Sequence, residues 1–252
     1  TPKPSSSASD VYKRQPNTSK NKQVRAFLIV VDAGHGGKDN GAISASGIKE
    51  KDINLKIAKH VKTILVNRYK YHVVMTRKDD RFIPLKDRSN ISNKRNADLF
   101  VSIHANAAKR KSAHGIETYV LGTSHNEQAL ATAARENGDL VKSVNDDQVQ
   151  QILASLITTT KINDSSRLAG RVQENLYRVS KKTNRNVKNL GVKEGPFYVL
   201  HGTDKPSILI EVGFLTNPRE AKMLGKSEYL YRLASSIAEG IHKYMKDKDP
   251  SI

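Results

Sequence analysis

Short continuous apolar runs alternate along this chain with stretches in which apolar residues recur every three or four positions. The run 24-VRAFLIVVD-32 is nearly unbroken and stops at glycine, the pattern of a strand buried on both faces. Over 50-EKDINLKIAKHVKTILVNRY-69, the spacing of Ile53, Ile57, Val61, Ile64 and Leu65 predicts a helix with one apolar stripe. A strand at 72-HVVMTR-77, a helix from Leu85 to Asn96, and strands at 98-DLFVSIHA-105 and 115-GIETYVLG-122 follow. Residues 123–182 then hold three helical segments and no strand. The first, 126-NEQALATAARENGDLVKSV-144, is Ala-rich; the second aligns Val149, Ile152, Leu153, Leu156 and Ile157, and the third Leu168, Val172, Leu176 and Val179. The alternation resumes with strands predicted at 196-PFYVL-200 and 207-SILIEVGF-214. A last helix carries Leu230, Leu233, Ile237, Ile241 and Tyr244. The fold class expected is α/β: a mostly parallel sheet with helices on both faces, plus an all-helical insertion.

Composition narrows this picture. A length of 252 residues suits one large domain. Residues 1–23 are polar and rich in Ser, Pro and Lys, and read as a linker outside a folded domain at 24–248; part of it, 5-SSSASDVYKRQ-15, resembles translated adapter sequence and carries no functional reading. The 43 Lys and Arg against 25 Asp and Glu give a net charge of +18, which favours a polyanionic partner. Five Phe, nine Tyr and no Trp offer little for base stacking, and no motif supports nucleic-acid binding. With no cysteine, any metal must be held by histidines and carboxylates. No apolar window reaches the roughly 18 residues of a membrane span, and no secretion-signal pattern is present.

The candidate chemistry lies at strand ends. His35 follows the first strand inside 31-VDAGHGGKDNGA-42, and His104 ends another. Glu50 opens the helix after the Gly-rich loop. Ligands of open α/β sheets sit at the carboxyl ends of the strands. Two histidines and a carboxylate converging there give the ligand set of a catalytic zinc site with one position left for water. Glu211 lies inside an otherwise apolar strand, where a carboxylate is costly unless paired, metal-bound or functional. Each residue also has a plainer reading: a loop or core histidine, an acid favoured by the helix dipole, a buried salt-bridge partner. A phosphate cradle at 34-GHGG-37 fails, because the GxGxxG spacing is missing and no helix starts until about residue 50.

The blocks 31-VDAGHGGKDNGA-42, Glu50, 99-LFVSIHAN-106 and 207-SILIEVGFLTN-217, in that order, resemble the zinc-dependent N-acetylmuramoyl-L-alanine amidases of the third amidase family. The resemblance runs from Val24 to Met245. It implies a twisted sheet of about six strands and hydrolysis of the amide joining N-acetylmuramic acid to the L-alanine of the stem peptide. It implies one Zn2+ held by His35, Glu50 and His104, with Glu211 as the catalytic glutamate. Asn106 matches a position beside the substrate groove, and Asp32 and Arg88 match positions that support the ligands from behind. Residues 123–182 resemble the regulatory insertion of the cell-division amidases, whose helix covers the zinc cleft and adds an acidic ligand. Glu136, in 134-ARENGD-139, is the matching residue; alone it reads as a solvated acid paired with Arg135 or Lys142. The same resemblance implies a peptidoglycan substrate, an activator of the LytM-domain type, a monomer, and a periplasmic or otherwise extracytoplasmic location. Two other readings compete: a related zinc peptidase acting within stem peptides, and a non-catalytic binder of anionic cell-wall polymer.

Overall fold

The computed structural model describes residues 27–138 and 159–252. The linker at 1–23, the start of the first predicted strand, residues 139–144 with Lys142, and the second helical segment of the insertion lie outside the described residues.

Six strands form one sheet in the order β2-β1-β3-β6-β4-β5. They are β1 (Leu28–Ala33), β2 (His72–Met75), β3 (Leu99–Asn106), β4 (Ile116–Leu121), β5 (Asn189–Gly195) and β6 (Ser207–Phe214). All neighbouring pairs are parallel except β4 with β6. β1, β3, β4 and β6 are buried almost throughout, which is why each reads as a continuous apolar run.

Side chains alternate between two cores. Ile29, Val31, Val101, Ile103, Ile208 and Ile210 point to the larger one, while Val30, Phe100 and Leu209 point to the smaller. The larger core is closed by α1 (Glu50–Asn67), α4 (Thr159–Thr183) and α7 (Ser227–Lys248). The smaller is closed by α2 (Leu85–Lys94), α3 (Glu127–Asn137) and the single turn α5 (Tyr198–His201). A short helix α6 (Pro218–Leu224) follows β6, with Asn217 as its N-cap accepting from the N–H groups of Arg219 and Glu220. Pro218 stands in its first turn, where a missing N–H costs nothing.

The strand expected at 196–200 is not one. Pro196 and Phe197 lead into the turn α5, and the strand in this region is Asn189–Gly195, just before them. β5 is the sheet edge, half-exposed and poor in apolar residues, so its sequence gave no strand signal. The third helical segment, α4, is a core element: Leu168, Ala169, Val172 and Leu176 have no exposure, and Gly240 of α7 lets Val172 approach its backbone. The described part of 123–182 that lies over the cleft is α3.

Candidate active site

The strand order brings the carboxyl ends of β1, β3 and β6 together, and the sequence-derived residues gather there. His104 on β3 and Glu211 on β6 are direct partners across the sheet. His35 lies two residues beyond β1 with φ of 59°, a left-handed conformation rare for a side chain with a Cβ. Four neighbours hold it there. Arg88 Nη2 donates to its carbonyl at 2.8 Å, Asp39 Oδ2 sits 2.8 Å from its Nδ1, and Gly34 and Gly41 flank its loop. A Cβ at Gly34 would lie 2.2 Å from His104 Cε1, and one at Gly41 would lie 2.6 Å from both Glu50 Oε2 and His35 Cδ2. These two glycines exist for close approach.

Four donor atoms converge. His35 Nε2 lies 3.1 Å from Glu50 Oε1 and 3.0 Å from Glu136 Oε2; His104 Nδ1 lies 3.0 Å and 2.8 Å from the same two oxygens. All four residues are buried, and their ligand atoms fall within 4.8 Å of one another. A tetrahedral site with bonds of ~2.1 Å has edges of roughly 3.4 Å, close to this spacing. Although His35 Nε2 and Glu136 Oε2 are near each other, neither has a hydrogen-bond partner. Polar atoms this close together and without such partners fit ligands of one cation. The set fits a metal of the zinc class: two imidazoles, two carboxylates and no thiolate.

The electrostatics also favour a cation. Burial pushes both imidazoles towards neutrality, yet Glu50 and Glu136 outweigh it and raise both, His104 to about 10. Burial likewise works against charge on Glu50 and Glu136, and the two histidines hold both below the usual carboxylate range. Glu50 is further fixed by the N–H groups of Ala42 at 2.8 Å and Ala105 at 3.0 Å, and by Asn54 Nδ2 at 3.2 Å.

Glu211 is wholly buried, and among the described residues neither of its oxygens has a hydrogen-bond partner. Burial and the nearby Glu136 raise its carboxyl well above the ordinary range; Arg135, with Nη2 at 3.7 Å, pulls the other way. Arg135 also donates to Glu136 Oε1, the Ala107 carbonyl and Asn106 Oδ1. Glu136 is buried rather than solvated; it pairs with Arg135 as one sequence reading expected, and it also approaches both histidines. Asn106 is buried between Arg135 and Glu117, to which its Nδ2 donates at 2.6 Å.

Asp32 and Arg88 stand behind the cluster. Asp32 accepts from Thr76, Ser102 and Arg88 at 2.6, 2.7 and 2.9 Å, and Arg88 also donates to the carbonyls of Ala33 and Ile83. Sequence reasoning missed Arg77, Asp39 and Asn54, and it named Arg135 only as a partner of Glu136. Arg77 is buried and donates to the carbonyls of Ala33, Gly34 and Lys51, so it binds the Gly-rich loop to α1. Asn54 carried a usable signal: a polar residue one turn beyond Glu50 on the apolar stripe of α1.

A family model described as N-acetylmuramoyl-L-alanine amidase matches residues 29–243. The amidase AmiA of Escherichia coli (strain K12) is 36% identical over 224 residues, covering 86% of this chain and 75% of that protein. The amidase AmiC of Neisseria meningitidis serogroup B is 38% identical over 239 residues, covering 91% of this chain and 55% of that protein; the chain thus spans about half of this longer relative. Among solved structures, the N-acetylmuramoyl-L-alanine amidase from Clostridium difficile 630 superposes with a TM-score of 0.69 at 32% identity, covering 88% of this chain and 98% of that one. Sheet order, strand-end cluster and these matches agree, and the chain belongs to the N-acetylmuramoyl-L-alanine amidase family.

Proposed function

We propose that this protein hydrolyses the amide between N-acetylmuramic acid and L-alanine in peptidoglycan, with one zinc ion held by His35, Glu50 and His104. The observation that carries this reading is the convergence of three buried donor atoms beside Glu211, a carboxylate with no hydrogen-bond donor. When bound, the ion supplies Lewis-acid polarisation of the amide carbonyl and acidifies a water. The chain's own residues do the rest. Glu211 has both oxygens uncommitted, so it takes the proton of the attacking water and returns it to the leaving nitrogen. Asp39 fixes the tautomer of His35 by occupying Nδ1, and Arg88 pins the loop that carries it.

Glu136 makes the enzyme autoinhibited in this reading. Three protein ligands leave one position for water, and the Glu136 carboxylate lies against both histidines where that water is needed. A partner that draws α3 away, of the LytM-domain type, would switch the enzyme on. Cell-wall remodelling or daughter-cell separation outside the cytoplasm, by a monomer, belongs to the same proposal. Among the described residues no helix is long and apolar enough to cross a membrane.

The test is digestion of purified peptidoglycan followed by mass spectrometry. Intact stem peptides separated from glycan are expected. Shortened stems still attached would replace the amidase with a peptidase, and polymer binding that survives chelation without any product would leave only a binder.

A further inference from the structure

Lys111, from the basic cluster 108-AKRK-111 that the amidase reading leaves without a role, and Asn184, from 181-KKTNR-185, line one cavity. A cavity of about 520 Å³ is lined by Lys111 and His114 from the β3–β4 connection, Asn184 and Asn186 before β5, and Asn217 and Arg219 at α6. β4 runs antiparallel to β6 and parallel to β5, so the starts of β4 and β5 lie at the edge where β3 and β6 end. The cavity is therefore on the same edge of the sheet as His104 and Glu211. A short path joins them. Leu215 donates its N–H to the Asn106 carbonyl at 2.8 Å, Ala108 donates to Thr216 Oγ1 at 3.0 Å, and the next residue is Asn217 in the cavity wall.

The cavity is lined by two cations and one acid. Lys111 and Arg219 are exposed, and neither forms an ion pair among the described residues. Glu220 is the one acid among the lining residues, and its two oxygens are already committed to the N–H groups of Gly115 and Phe214. His114 is fixed by a 2.8 Å hydrogen bond from Nδ1 to the Ser112 carbonyl. Two cations on one rim repel each other, and a bound anion relieves that repulsion. The asparagine amides add neutral donors. A volume inside the roughly 300–1,000 Å³ of small-ligand sites suits one or two peptide residues rather than a polymer strand.

We infer that this cavity binds a carboxylate-bearing residue of the stem peptide, downstream of the scissile amide, and so selects stems with a free carboxylate over amidated ones. The inference rests on the amidase reading for the identity of its ligand. The test uses the full chain and a soluble stem tripeptide whose second residue carries either a free α-carboxylate or its amide, with affinity measured by calorimetry. Wild type and a charge-matched control, Lys94→Ala with Arg95→Ala, should bind the carboxylate form about tenfold more tightly. In Lys111→Ala with Arg219→Ala the ratio should fall to about one. If that double variant does not fold by circular dichroism, Lys111→Gln alone is read for the same loss of ratio. Equal affinities for the two peptides in wild type, or no saturable binding of either, overturns the inference. Hydrolysis of a muropeptide with the same stem is followed in parallel. Carboxylate-selective binding without hydrolysis would uphold the cavity and sink the amidase reading; hydrolysis without selectivity would do the reverse.

Discussion

Asp32 and Glu211 are both completely buried carboxylates, two strands apart in one sheet, and their surroundings are opposite. Burial would raise the Asp32 carboxyl, but Arg88, Ser102 and Thr76 together hold it below its ordinary value. Glu211 has no hydrogen-bond donor among the described residues, and burial with the nearby Glu136 raises it despite Arg135. Glu220 stands between them: two backbone N–H groups bond it, it forms no ion pair among the described residues, and burial pushes it up to about 7. Glu117 repeats the Asp32 pattern on β4 directly opposite Glu211, accepting from Asn106 and Tyr119 and pairing with Lys193 at 2.6 Å. Buried charge that holds the fold together is saturated with donors. Buried charge that is left open marks the place where the protein meets something else.

The largest effect is expected where the open carboxylate is removed. Glu211→Gln should lower the hydrolysis rate by about 10²- to 10⁴-fold while the melting temperature holds, since no hydrogen bond is lost. The same change made at the saturated site should do the opposite. Asp32→Asn leaves the Arg88 guanidinium buried without its counter-charge and should cost about 3–5 kcal/mol in denaturant unfolding. A loss of stability in Glu211→Gln equal to that in Asp32→Asn would erase the contrast.

A smaller effect is expected at α3. Glu136→Ala should raise basal hydrolysis about tenfold at unchanged zinc content, about 1.4 kcal/mol in barrier terms. Equal basal rates in variant and wild type would remove the autoinhibitory role from that residue. The mildest effect is expected at Glu220. Its folded pKa lies above the unfolded one, so it carries no penalty below about pH 4.5, and stability falls as pH rises from there through about 7. Thermal melts across that window should slope downwards in wild type. In Glu220→Gln that slope should flatten, at a cost of about 1–3 kcal/mol at the acid end, because an amide NH2 then faces a backbone N–H.

Much of this arrangement was legible in the residues themselves. β1, β3 and β6 are buried on both faces and so wrote themselves as apolar runs, and α1 announced itself through its stripe. His35, Glu50 and His104 sit where those elements end, so placing the elements placed the residues. β5 was not legible, because an edge strand with one solvated side needs few apolar residues and NLGVKEG supplies few. The helix α4 looked like part of an insertion because its stripe says only that one face is buried, not against what; it packs on α7 and β4. Arg77 and Asp39 act through loop geometry, which residue spacing does not encode. The need for glycine at Gly34 and Gly41 comes from side chains elsewhere in the chain, and only the folded structure supplies them.

In the proposed assignment His35, Glu50 and His104 hold one zinc ion, and Glu211 works beside it without holding it. Zinc stoichiometry by mass spectrometry on wild type, His104→Ala and Glu211→Gln decides that assignment. About one ion per chain is expected in wild type, close to none in His104→Ala, and about one in Glu211→Gln. Full zinc retention in His104→Ala, or its loss in Glu211→Gln, would contradict it.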